Sequence, residues 1–202
     1  RERIVAEHPD TEDAVEATYK IGLHNLFYGR ELGKATEHFE QAAKKKHPYW
    51  SAAARTSLGI CYYHQGRGQK ALFELRRVGY ADVANQHSIT ALSFMETIHA
   101  NEAEEDEVKR VRQERIKQLR QLIETLRPSP NGDLGQYLFS LAAALHDEDE
   151  RPEAAAMLEE AAGITLVSEK QFVVIYDAID LAAFLIQNYI IKTDSVTLGK
   201  HM

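Results

Sequence analysis

The segment Arg55-Thr56-Ser57-Leu58-Gly59-Ile60-Cys61-Tyr62 carries Leu-Gly-x-x-Tyr, and nine residues after Tyr62 the chain gives Ala71-x-x-x-Leu75. A small residue followed at helical spacing by a large one, twice over with a turn between, is what two closely packed antiparallel helices require. Small side chains sit where the backbones approach, and large ones fill the space between successive pairs. The same phrase recurs on both sides. Upstream, Thr18-x-x-Ile21-Gly22-x-x-Asn25 leads to Ala35-x-x-x-Phe39-x-x-Ala42 and then Pro48. Downstream, Leu138-x-x-Leu141-Ala142-x-x-Leu145 leads to Ala154-x-x-x-Leu158-x-x-Ala161. Gly22, Gly59 and Ala142 are the expected close contacts on first helices, with Ala35, Ala71 and Ala154 opposite them on second helices. Phe39, Leu75 and Leu158 are the expected fillers.

Outward from these phrases, apolar residues recur at helical spacing in nearly every segment, and alternating strand-like runs are absent. Breaks fall at His8-Pro9-Asp10, Tyr28-Gly29-Arg30, His47-Pro48, Gly66-Arg67-Gly68, Gly79, Asn101, Pro128-Ser129-Pro130-Asn131-Gly132, between Asp147 and Pro152, and near Ser168. They cut the chain into about nine helices. The expected fold is therefore all-α, a stack of antiparallel helix pairs.

The three phrases closely resemble the tetratricopeptide (TPR) pattern, and the resemblance covers residues 9–168. It implies a right-handed α-solenoid, with TPR-like repeats at 9–47, 48–81 and 128–168. Residues 82–127 form a divergent hairpin between them. Its first helix has Leu92-Ser93 where Leu-Gly is expected. Its second, long and charged, keeps one apolar face through Val108, Val111, Ile116, Leu119, Leu122, Ile123 and Leu126. Residues 1–8 read as the end of a preceding repeat helix, so the chain is expected to be part of a longer protein. Residues 169–192 read as a C-terminal apolar helix. Residues 193–202 read as a tail, its closing His201-Met202 a cloning remnant.

In tetratricopeptide arrays the first helices line a concave groove that receives a partner. The resemblance places Tyr19, Leu23 and Leu26, then Thr56, Ile60 and Tyr63, then Phe139 and His146 along it. Members that clamp a terminal carboxylate use lysine, asparagine and arginine there. This chain has Tyr19, Leu23 and Ser57 at the first three such positions, which argues against that ligand. The expected function is a protein-interaction scaffold that takes a partner helix or an extended segment with apolar side chains.

Other chemistry finds little support. The 24 basic and 31 acidic residues give a net charge of −7, which disfavours nucleic acid. Nine histidines occur, but without a His-Glu-x-x-His or paired Cys/His spacing, and His24, His38, His64, His87 and His99 are scattered. No metal and no cofactor are expected. Gly66-Arg67-Gly68 lacks the glycine and lysine of a phosphate loop. Cys61 is a lone thiol on a tightly packed helix and is expected to be inert. The acidic runs Asp147-Glu148-Asp149-Glu150 and Glu102 to Glu107 precede helices and suit their N-termini. Lys109, Arg110, Arg112, Arg115, Lys117, Arg120 and Arg127 beyond the second run read as a solvated face. No catalytic residue is assigned, and the chain reads as a non-enzyme.

Residues 172–191 are long and apolar enough to invite a membrane reading. However, Asp177 and Asp180 near the centre of a spanning helix would cost roughly 5–7 kcal/mol, so the segment reads as a buried helix of a soluble protein. Leu181, Phe184, Leu185, Ile186, Tyr189, Ile190 and Ile191 are expected to span more directions than one hairpin can cover. Phe184, Ile186 and Ile190 thus form a candidate association face, and homo-oligomerisation through terminal helices is the alternative function. The compartment stays open, with an intracellular location favoured. The phrase Glu7-His8-Pro9-Asp10-Thr11 resembles repeat entries in bacterial cell-envelope members, which makes the envelope the alternative.

Overall fold

Three of the helices begin where the sequence supplies a side-chain cap. In the computed structural model, which describes residues 11–29, 31–45, 47–128 and 132–165, α1 spans Glu12–Phe27. Thr11 Oγ1 accepts from the Ala14 amide, and Glu12 and Asp13 lie in the first turn, where acids favour the helix dipole. The second helix, α2, is Leu32–Lys44. In α3, Pro48–His64, the proline takes a first-turn place where its missing N–H costs nothing, and His47 Nδ1 accepts from the Trp50 amide. Next come α4, Gly68–Gly79, and α5, Gln86–Asn101. The latter opens with a reciprocal box in which Asn85 and Ser88 cap one another's amides. The last three are α6, Glu105–Leu126, α7, Gly132–Asp147, and α8, Arg151–Thr165. Among the described residues there are eight helices and no strand. Residues 1–8 and the expected helix at 169–192 lie outside the described residues.

The chain divides into two compact units, one ending at Leu122 and the other beginning at Ile123, within α6. In the first, α1 packs on α2, α2 on α3, α3 on α4 and α4 on α5, while α1 meets α3 and α3 meets α5. Successive helices are thus antiparallel neighbours, and alternate helices lie side by side. The second unit contains the α7–α8 pair.

Gly22 and Gly59 show why the small–large phrase specifies this packing. A Cβ on Gly22 would lie 2.6 Å from Cε1 of Phe39, and one on Gly59 would lie 2.6 Å from Cγ of Leu75. Phe39, Leu75, Leu58 and Leu72 are all buried in one core. In the divergent hairpin the small residue has moved to the other helix. Ser93 is exposed, whereas Gly79, at the end of α4, lets Leu92 and Met95 approach to 3.2 and 3.4 Å of where its Cβ would be. Leu158 departs from its expected role as a filler and is 40% exposed, although Ala142, Ala154 and Ala161 are buried.

Three hairpin turns close alike. The amides of Arg67, Glu104 and Glu150 reach back to the carbonyls of Tyr62, His99 and Leu145. In each case the residue before the donor is left-handed: Gly66 (φ 72°), Ala103 (φ 58°) and Asp149 (φ 64°). This is one helix-ending motif used three times, twice without the glycine that makes it visible in a sequence.

The basic face of α6 is not wholly solvated, which corrects the reading of Arg112 and Arg115. Arg112 Nε lies 2.7 Å and Arg115 Nη2 2.8 Å from the two oxygens of the buried Glu96 on α5. A buried carboxylate needs counter-charge, and these arginines supply it. Gln118 Nε2 donates to the Gly79 carbonyl at 2.7 Å. The charged helix is thereby fastened to α5 and to the end of α4.

Candidate partner-binding face

In the first unit, α1, α3 and α5 stand side by side, and polar side chains link them near their ends and middle. The Tyr19 hydroxyl on α1 lies 3.4 Å from Ser57 Oγ on α3. Near the start of α3, Gln86 Nε2 of α5 donates to the Tyr49 hydroxyl at 2.8 Å, and near its end Asn101 Nδ2 donates to the Tyr63 hydroxyl at 2.5 Å. Tyr19 also leans on Phe39 and on Trp50, with ring centroids 5.6 and 5.7 Å away. The face is built on helices rather than loops, so its geometry is set by packing.

Six of the eight expected groove residues fall in this unit. Tyr19, Leu23, Leu26 and Tyr63 are partly buried, resting on the core with one side turned outward, and Ile60 is likewise half-buried. Thr56 sits beneath the face: it is 4% exposed and its hydroxyl donates to the Ala52 carbonyl at 3.0 Å. Phe139 and His146 lie on α7 in the second unit, both half-buried. Phe184, Ile186 and Ile190 lie outside the described residues.

Sequence reasoning missed the contribution of α5. Four of its exposed side chains, Gln86, Thr90, Ser93 and Thr97, recur at intervals of four, three and four residues, a helical stripe legible in retrospect. The Leu-Gly phrase that locates such positions elsewhere is displaced here to Gly79.

Cys61 is fully buried, and burial pushes its thiol up to about 11 against the lowering effect of a hydrogen bond with Thr36. It is therefore a poor nucleophile at neutral pH. The His87 imidazole is held below its ordinary value by burial. Among the described residues, His99, Glu102 and Glu104 bring potential metal-ligand atoms within 4.8 Å of one another, a grouping that motif spacing did not flag. His99 Nδ1 is 2.5 Å from Glu104 Oε2. That contact ties the end of α5 to the residue preceding α6.

Among solved structures, the chain is similar to one described as the crystal structure of MamA, at 17% identity over 80% of this chain and 82% of that one, with a TM-score of 0.44. No family model matches the sequence. No curated protein matches it. The all-helical fold of stacked pairs rests on the packing described above.

Among the described residues, no helix is long and apolar enough to cross a membrane.

Proposed function

We propose that the chain is a protein-interaction scaffold whose α1–α3–α5 face receives a helix or extended segment of a partner carrying apolar side chains. The observation that carries this reading is the row Tyr19, Leu23, Leu26, Ile60 and Tyr63. These are large apolar side chains, each half-buried on α1 or α3, and well-seated aromatic and aliphatic anchors of this kind dominate protein interfaces. Phe139 and His146 would extend the contact on α7. Self-assembly through Phe184, Ile186 and Ile190, which lie outside the described residues, is the alternative.

The test is cross-linking of the purified chain to a partner, followed by titration of that partner against variants. Ile60→Asp and Tyr63→Ala are expected to weaken binding by at least about tenfold, as removal of interface anchors does. Phe73→Ser, at an exposed site on α4, serves as the control and should bind normally. Normal binding by folded Ile60→Asp would place the site elsewhere.

A further inference from the structure

Charge is distributed very unevenly over the first unit. In a chain with 27% charged residues, the 17 residues of α3 contain one charged side chain, Arg55, and the 16 of α5 contain one, Glu96. Neither serves the open face. Arg55 is spent on Glu74 at 2.6 Å and on the Ala43 carbonyl at 2.8 Å, and Glu96 on Arg112 and Arg115. By contrast, α6 opens with Glu105, Asp106, Glu107, Lys109 and Arg110 within its first six residues. On α1, Glu16 and Lys20 neutralise one another. Exposed on α5 are Gln86, Thr90, Ser93, Thr97, Ala100 and Asn101, with Phe94 half-buried; on α3 Pro48, Tyr49 and His64 are exposed and Ser57 and Ile60 half-buried.

Solvated helix surfaces are ordinarily charged, so a strip of exposed hydroxyls and amides beside half-buried Ile60 and Phe94 calls for a cause. Interface cores are depleted in charge, because each ion laid into a contact loses water and must find a counter-ion there. A carboxylate or ammonium placed over Ser93 and Ile60 would find none among the side chains of the strip. Hydroxyls behave differently. The Thr90 and Thr97 hydroxyls donate to the Gln86 and Ser93 carbonyls at 2.8 and 3.1 Å, which leaves their oxygens able to accept. An extended segment presents backbone N–H groups in need of acceptors.

We infer that the α3–α5 strip selects an uncharged, extended segment of another protein, whose apolar side chains lie over Ile60 and Phe94 and whose backbone amides meet Thr90, Ser93 and Thr97. This rests on the scaffold reading and narrows it. The partner is recognised by its lack of charge, so binding needs no ion pair and is nearly indifferent to salt.

The experiment uses the whole chain and three sets of short fluorescent peptides, held near pH 8 so that histidines are neutral. One set combines Leu, Ile and Phe with Ser, Thr, Asn and Gln. The other two carry two glutamates or two lysines in place of polar positions. Anisotropy titrations are expected to show the uncharged set binding about tenfold tighter than either charged set. Its Kd should change by less than about twofold between roughly 50 and 500 mM NaCl. Ser93→Lys, on an exposed position, should keep its circular dichroism, weaken the uncharged peptides by about tenfold and favour the glutamate set. Tighter binding by a charged set, with affinity falling steeply in salt, overturns the inference while leaving the scaffold reading intact. Failure of all three sets, or uncharged binding unaffected by Ser93→Lys, overturns it too, and the scaffold reading then stands or falls by the Ile60→Asp titration. If Ser93→Lys instead dissociates an oligomer seen in sedimentation, a second copy is the occupant and the inference is overturned.

Discussion

Gly59 on α3 and Leu75 on α4 are complementary: the space where a Cβ of the glycine would sit is filled to within 2.6 Å by the leucine Cγ and 2.8 Å by its Cδ2. The pair holds the second hairpin closed, and Phe39 fills the corresponding space at Gly22 in the first. Replacing Gly59 by leucine is expected to destabilise by at least about 1–3 kcal/mol, since overpacking outweighs the gain of about 1 kcal/mol in helix propensity. Gly33, with nothing within 4 Å of its would-be Cβ, is the contrast, and Gly33→Ala should be neutral or stabilising. Urea midpoints decide it, and an unchanged midpoint for Gly59→Leu would refute the close contact.

Glu96 offers a second test. With its side chain 11% exposed and facing the arginine side chains of Arg112 and Arg115, 18% and 12% exposed, it is the hub of a largely desolvated ionic cluster. Truncation by Glu96→Ala removes the shared counter-charge and is expected to cost about 3–5 kcal/mol. Replacing all three at once, Glu96→Leu with Arg112→Met and Arg115→Met, should restore much of the loss, because no charge is then left buried. A triple variant as unstable as Glu96→Ala would show that the cluster specifies the docking of α6 rather than merely neutralising itself.

Tyr62 gives an alkaline signature. Burial, together with its hydrogen bond to Glu40 at 2.6 Å, pushes the phenol from 10.0 up to about 12. The folded state therefore holds a proton that the unfolded state releases. The contribution is fully present below pH 10.0 and is lost as the pH rises through about 12. Denaturation midpoints of the wild type should fall more steeply across this window than those of Tyr62→Phe, which starts lower for want of the hydrogen bond. Parallel declines would mean the phenol is not held neutral by the fold.

Much of this architecture was readable because it is written in local spacing. Leu58-Gly59 and Ala71-x-x-x-Leu75 state a contact between helices adjacent in the chain, so helical periodicity and a short turn suffice to bring the residues together. The same locality put Tyr19, Leu23 and Leu26 along one stripe of α1 and Ile60 and Tyr63 along one stripe of α3, and the structure leaves all five half-buried. Thr56 was misjudged on burial, since the spacing gives direction around a helix but not depth. Where the small residue changed helices, at Gly79 against Leu92 and Met95, the phrase vanished from α5 and its open stripe went unseen.

The sequence by itself determined the all-helical class, the helix breaks and the pairing of neighbours, because caps, prolines and apolar period act within a few residues of one another. Tertiary structure alone decided which charges are spent. Arg112 and Arg115 look like any basic helix face until α6 folds against α5 and brings them to Glu96, 16 and 19 residues earlier in the chain. It also decided that Arg55 is turned toward Glu74 and away from the face of α3. Desolvation and charge pairing depend on which surfaces meet, and that is fixed by packing between helices rather than by order along the chain.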